Sequence, residues 1–226
     1  MKDLRQSMDT ILLRIQEACV RTGRKPKEVL LVAISKTILP ETIRKAYELG
    51  QKDFGENQAQ QFRDKRIVLQ DLTLSWHFVG TLQSNKVKYV VGHAEYIHSV
   101  NSLSILRKID QRAAVCGCVQ KVLIEVNVSG EESKHGVCQN EMGVILEHSR
   151  SMPNIHVMGF MAMAPFVEDP EEVRWVFRKM KDLQAKWLSE YPSLHHLSMG
   201  MSGDFEVAVE EGATMVRVGT ALFGAR

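Results

Sequence analysis

The chain opens with Leu4, Met8, Ile11, Leu12, Ile15 and Cys19 at helical spacing, charged residues between them, and Gly23 where a C-cap glycine would end the helix. Val29-Leu30-Leu31-Val32-Ala33-Ile34 follows without a polar break, the pattern of a strand buried on both faces in a parallel sheet. Pro40-Glu41 then opens a second helix, with proline in the first turn and an acid at the positive dipole end, and Gly50 closes it. The alternation repeats along the chain. Further strands are predicted over 53–56, 76–80, 96–101, 121–128, 156–162, 195–200 and 215–218, separated by helix-length periodic stretches such as 103–114 and 171–188. Eight such units without a low-complexity linker predict an α/β fold, a single closed (β/α)8 barrel of the TIM type with an additional N-terminal helix, as one domain over 1–226. Ala46-x-Glu48-x-Gly50 and Ala208-x-Glu210-x-Gly212 each lead into a strand, which ordinary helix-to-strand turn chemistry explains.

Composition narrows the function classes. Of 226 residues, 44% are hydrophobic and 25% charged, ordinary for a globular protein, and 29 basic against 27 acidic residues leave a net charge of +2. No bulk field points to nucleic acid, although a local basic patch for one small phosphate remains allowed. The apolar runs are strand-sized, so no membrane span is expected, and Lys2, Asp3, Arg5, Asp9, Arg14 and Glu17 interrupt any secretory apolar core. Cys19, Cys116, Cys118 and Cys138 form no CxxC pair and no regular framework, which places the chain in a reducing compartment, the cytoplasm. Asp53-Phe54-Gly55 spells a kinase metal motif without the glycine-rich loop or catalytic block that would give it meaning. Asn127-Val128-Ser129 is a glycosylation sequon with no role in a cytosolic strand, and His195-His196 point to opposite faces, so no metal site is expected. No helix carries an obvious exposed apolar face, which favours a monomer.

Barrels of this kind place chemistry at the C-terminal ends of their strands. Lys36 lies just past the first buried strand, where partial desolvation favours a neutral amine able to attack a carbonyl, although a lysine there also snorkels to solvent in many proteins. Near the C-terminus, Ser198-Met199-Gly200-Met201-Ser202-Gly203-Asp204 is a small-residue loop opening a helix, and Val216-Arg217-Val218-Gly219-Thr220 ends the last strand. Unpaired backbone N–H groups at such a loop, with the hydroxyls of Ser202 and Thr220 and the close approach Gly219 permits, make an anion cradle where barrel phosphate sites recur. Singly, Gly219 also suits a tight turn and Thr220 a cap. Arg217 suits an ion pair or a hydrogen bond to an aromatic ring nitrogen, and Asn57 an N-cap or a donor to a ring oxygen.

Several blocks together resemble one family. Trp76-His77-Phe78-Val79-Gly80-Thr81-Leu82-Gln83-Ser84-Asn85-Lys86 is similar to the signature of the pyridoxal phosphate homeostasis proteins, the YggS/PROSC family. Phe54-Gly55-Glu56-Asn57, Val126-Asn127-Val128-Ser129-Gly130-Glu131 with Ser133-Lys134, Ser198-Met199-Gly200-Met201-Ser202, and Val216-Arg217-Val218-Gly219 with Phe223-Gly224 resemble its other blocks, so the likeness runs through essentially the whole chain. The resemblance implies a barrel like the N-terminal domain of alanine racemase, with pyridoxal 5′-phosphate (PLP) held as a Schiff base on Lys36. It implies Ser202, Gly219 and Thr220 around the phosphate, Arg217 facing the pyridine nitrogen, Asn57 near the ring, and His77 either packed beneath the cofactor or a satisfied core histidine.

An arginine beside the ring nitrogen only donates, so the ring is a weaker electron sink than one paired with an acid. The chain ends at Arg226, directly after the last strand, without the C-terminal domain from which alanine racemase draws its second base. The expectation is therefore a non-catalytic PLP-binding protein with no catalytic residues, contributing to vitamin B6 homeostasis, with PLP-dependent apo-enzymes as candidate partners. The alternatives are a small racemase or lyase, and a Schiff-base aldolase that keeps Lys36 without the cofactor.

Overall fold

The computed structural model describes residues 3–128 and 136–224. The first strand, β1 (Leu30–Ile34), pairs on one side with β2 (Asp53–Glu56) and on the other with β8 (Met215–Val218), where Val32 stands opposite Arg217, so the sheet closes on itself. Between them β3 (Ser75–Phe78), β4 (Tyr96–Val100), β5 (Gln120–Glu125), β6 (Ile155–Met161) and β7 (His196–Ser198) follow in chain order, every pair parallel. This is the (β/α)8 barrel that the alternating pattern predicts. Helices α1 (Leu4–Arg21), α2 (Pro40–Glu48), α3 (Ala59–Val68), α4 (Val87–Val90), α5 (Leu103–Cys116), α6 (Gln139–Ser149), α7 (Arg174–Leu188), α8 (Phe205–Glu210) and α9 (Thr220–Phe223) accompany the strands.

Two hydrophobic layers follow from the period-2 alternation of side chains along each strand. The outward-facing residues, such as Phe54, Trp76 and Phe78, pack against helix residues such as Phe62, whose ring centroid lies 5.8 Å from that of Trp76. Inside the barrel, Val32, Leu123, Met161 and Met215 form a separate small cluster, while Asp53, His77, His98, Ser198 and Arg217 supply polar groups that hydrogen-bond one another. The N-terminal helix is tied to the last units: Arg24, just beyond α1, donates to the carbonyls of Val209 (2.6 Å) and Ala213 (2.8 Å), and the Arg14 guanidinium lies 4.7 Å from the Phe205 ring centroid.

The Ala-x-Glu-x-Gly repeat is turn chemistry. Gly50 (φ +100°) and Gly212 (φ +101°) both adopt the left-handed backbone, and in each turn the N–H of the next residue bonds back to the alanine: Gln51 to Ala46 at 3.1 Å, Ala213 to Ala208 at 2.8 Å. Several predicted elements come out shorter, three of them for reasons that the backbone shows. β7 stops at Ser198 because Gly200, at φ +90°, turns the chain away, and β5 stops at Glu125, with Val126 left in an isolated bridge to Val137. The predicted 171–188 helix begins as a 3-10 turn, Pro170–Val173, before α7.

Candidate functional site

At the C-terminal ends of the strands lies a cavity of about 600 Å3. Lys36 after β1, Asn57 after β2, Ser202 after β7, Arg217 in β8, and Gly219 and Thr220 after it all line this one space, although up to 184 positions separate them in the chain. His77 does not reach it. That side chain is fully buried inside the barrel, stacked on Tyr96 at 5.4 Å between centroids and bonded to His98 and Asp53. It sits where a core histidine sits, because β3 turns position 77 inward below the cavity floor.

Lys36 is exposed rather than half-desolvated, since β1 ends at Ile34 and carries the chain beyond the packed layer. The next residue, Thr37, has φ +66°, the single non-glycine residue with positive φ among the described residues, and such strain costs roughly 1–3 kcal/mol. Ser35 anchors the turn. Its carbonyl accepts from Ile38 N (2.9 Å) and from Lys65 Nζ (2.6 Å), and its hydroxyl donates to Glu56 Oε1 (2.6 Å). Lys65 in α3 also reaches Glu56 Oε1 at 2.7 Å, a buried ion pair directly behind the site.

Arg217 is 5% exposed, and burial pushes its pKa down to about 10, opposed by the carboxylates of Asp204 and Glu125. Its Nη1 donates to the carbonyl and the hydroxyl of Ser198, both at 2.7 Å, and Nη2 to the Ala162 carbonyl at 2.9 Å. Among the described residues its bonds therefore fix an oriented fork at the cavity wall and make no surface ion pair. Ser202 Oγ accepts from the N–H groups of Gly219 (3.3 Å) and Ala221 (3.2 Å), which leaves its own proton to donate. A Cβ at Gly219 would stand 3.3 Å from the Ile34 carbonyl oxygen, so a side chain there would press this loop off β1. Asp204 holds the loop by accepting from Met201 N at 2.5 Å, and burial raises its pKa. With the Gly219 and Ala221 N–H groups turned onto Ser202 Oγ, the Ser202 hydroxyl is the donor that this loop offers an anion. Asn57 is not the N-cap of α3; Gln58 holds that position, leaving Asn57 on the cavity wall.

Sequence reasoning missed Ser35, Glu56 and Lys65, and missed Ser198 and His98 beneath Arg217. A signal existed for Lys65: it falls three residues after Phe62 and four before Leu69, on the apolar stripe of its helix, where an unpaired charge does not belong. The block Ser129-Gly130-Glu131 with Ser133-Lys134 lies outside the described residues. Among the described residues no helix is long and apolar enough to cross a membrane, and no group of three metal-ligating side chains gathers.

Residues 15–226 match the family model of the alanine racemase N-terminal domain. The pyridoxal phosphate homeostasis protein of Aquifex aeolicus is 48% identical over 222 residues, 98% of this chain and 97% of that protein. The chain belongs to this family. The homeostasis protein of Escherichia coli K12 is 38% identical across 100% of this chain and 98% of its own length. Among solved structures, PipY of Synechococcus elongatus with PLP bound superimposes with a TM-score of 0.85 at 33% identity, covering 98% of this chain and 100% of that one. Alanine racemase of Clostridium difficile shares the fold at a TM-score of 0.76 and 15% identity; this homeostasis-family chain spans 57% of the racemase.

Proposed function

We propose that the cavity holds PLP, that Lys36 carries it as a Schiff base, and that the protein stores and hands over the cofactor without turning over a substrate of its own. One observation carries this reading: an amine, a buried guanidinium and a phosphate-type donor set converge on one cavity in a chain of this family. The residues fit the cofactor, because Ser202 keeps a proton to donate and a Cβ at Gly219 would crowd the Ile34 carbonyl at 3.3 Å, which favours bare backbone there.

When bound, PLP supplies an aldehyde that condenses with amines and a ring that draws electrons. Lys36 offers the amine from the anchored turn. Ser202, with the loop at Gly219 and Thr220, holds the phosphate, and Asn57 approaches the ring from β2. Arg217 faces the ring nitrogen. At a pKa of about 10 it stays charged near neutral pH, so it donates a hydrogen bond there and takes up no proton. Leaving the ring nitrogen unprotonated keeps electron withdrawal weak, which suits holding the cofactor better than driving carbanion chemistry. In this reading the protein acts as a monomer in the cytoplasm, away from nucleic acid and membrane, and the recipients are apo-enzymes that need PLP.

Three measurements test it. Ser202→Ala removes a donor to a charged group, a loss of roughly 1.5–3 kcal/mol, so PLP should be held about tenfold to a hundredfold more weakly in equilibrium dialysis. Pyridoxal without phosphate should bind far more weakly than PLP, and equal affinity would place the anion site elsewhere. For the carrier role, the protein fully loaded with PLP is incubated with amino acids in deuterated solvent. Alpha-proton exchange should stay near the rate of free PLP. Racemisation or decarboxylation at enzyme-like turnover, lost in Lys36→Ala, would replace the carrier with an enzyme.

A further inference from the structure

A buried chain of side chains descends from the cavity floor through the barrel. Arg217 Nη1 lies 2.7 Å from Ser198 Oγ, Ser198 Oγ 2.8 Å from His98 Nδ1, His98 Nε2 2.9 Å from His77 Nδ1, and His77 Nε2 3.1 Å from Asp53 Oδ1. Five strands contribute one residue each: β8, β7, β4, β3 and β2. Ser198, His98 and His77 are wholly buried.

The chemistry of the groups gives the chain one direction. A guanidinium has no acceptor, so Arg217 must donate to Ser198 Oγ, and the serine hydroxyl is then free to donate to His98 Nδ1. The other end fixes the direction: the Asp53 carboxylate only accepts, so His77 carries its proton on Nε2 and donates to it. With one proton on each imidazole, His77 Nδ1 accepts from His98 Nε2, and His98 Nδ1 is left to accept from Ser198. Each link has one donor and one acceptor. Charging His98 is disfavoured first by its burial and then by the groups that face it: His77 on β3, Arg217 on β8 and His196 on β7.

We propose that His98 and His77 are positioning residues for Arg217: they draw the Ser198 proton downward, fix Ser198 Oγ as an acceptor, and so set the guanidinium fork. A guanidinium has five N–H donors, and among the described residues Arg217 uses three of them below the cavity. Two donors are not used in these bonds, and Arg217 is among the residues that line the cavity. The proposal rests on the reading of that space as the PLP site, with Arg217 toward the ring nitrogen.

The direction of the chain is testable without cofactor. In 15N NMR of the histidine side chains of the ligand-free protein, His77 and His98 should both show the proton on Nε2, and His98 should titrate well below an ordinary histidine because of its burial. An Nδ1–H tautomer at His98, or titration like that of an ordinary exposed histidine, overturns the proposal whether or not PLP binds. Loaded with ring-15N PLP, His98→Phe keeps an aromatic ring but removes the acceptor for Ser198, whereas His98→Asn keeps an acceptor near the Nδ1 position. His98→Phe should release PLP about five- to tenfold faster and move the ring-nitrogen resonance toward that of a pyridine without a donor. His98→Asn should stay within about twofold of wild type with the resonance in place. If His98→Phe does not fold, Ser198→Ala removes the hydroxyl to which Arg217 donates and should shift the resonance in the same direction. An unmoved resonance in the folded acceptor-less variant, or equal loss in Phe and Asn, overturns the positioning role. A wild type that binds no PLP while keeping the expected tautomers would instead remove the cofactor reading alone.

Discussion

Borohydride reduction of the protein loaded with PLP is expected to fix the label on the peptide carrying Lys36, and Lys36→Ala to abolish that adduct altogether. The expectation rests on geometry. Among the described residues, Lys36 is the lysine that lines the cavity, on the turn anchored through Ser35, and shares that cavity with Ser202. Lys65, close in space, is a poor competitor: its Nζ is bonded to Ser35 O and Glu56 Oε1 in the layer between β2 and α3, outside the cavity wall. The fold should survive the change, because an exposed side chain removed from the rim usually shifts stability by no more than about 0.5 kcal/mol. Peptide mapping by mass spectrometry reads the site, and circular dichroism the fold. Label on Lys86, or on Lys134, would move the linkage away from the cavity mouth described here.

Lys65→Met should be the most destabilising single change near the site. Glu56 is fully buried, one of its oxygens has no partner among the described residues, and the other is satisfied by Lys65 and Ser35. Removing the lysine leaves that carboxylate without a counter-charge, which costs about 3–5 kcal/mol in comparable buried pairs. For a domain of this size that corresponds to a melting temperature lower by roughly 6–20 °C. The double variant Glu56→Leu with Lys65→Met removes both charges and should recover most of the loss, since desolvating the pair offsets much of its attraction. Slower capture of PLP by Lys36 should accompany the single variant, because Ser35 loses the bond that steadies the Thr37 turn. A loss below about 1 kcal/mol on thermal unfolding would mean that the pair does not hold the turn.

The sequence-level reading and the structure part at identifiable residues. Hydrophobic periodicity is a local property, so eight strand–helix units could be read along the chain, and with them the strand ends where Lys36, Asn57, Ser202, Arg217, Gly219 and Thr220 fall. The rule that barrel chemistry sits at those ends then named six residues that line one cavity. Parity along a strand was legible in the same way, since Phe54 and Glu56 share one face and Asp53 and Gly55 the other.

What lies on each side of that parity was decided only when β1 met β8. His98 and Ser198 are 100 positions apart and bond only because the closed sheet turns both into the interior. The depth of a side chain along the barrel axis depends on the stagger of the strands, which no local pattern encodes; it puts His77 below the cavity and Arg217 at its wall. Lys65 and Glu56 meet only because the packing of α3 on β2 encloses both. Local periodicity follows from each residue's own backbone geometry, whereas the partner of a buried polar group follows from which distant segments share its space, and that is set by closure of the barrel.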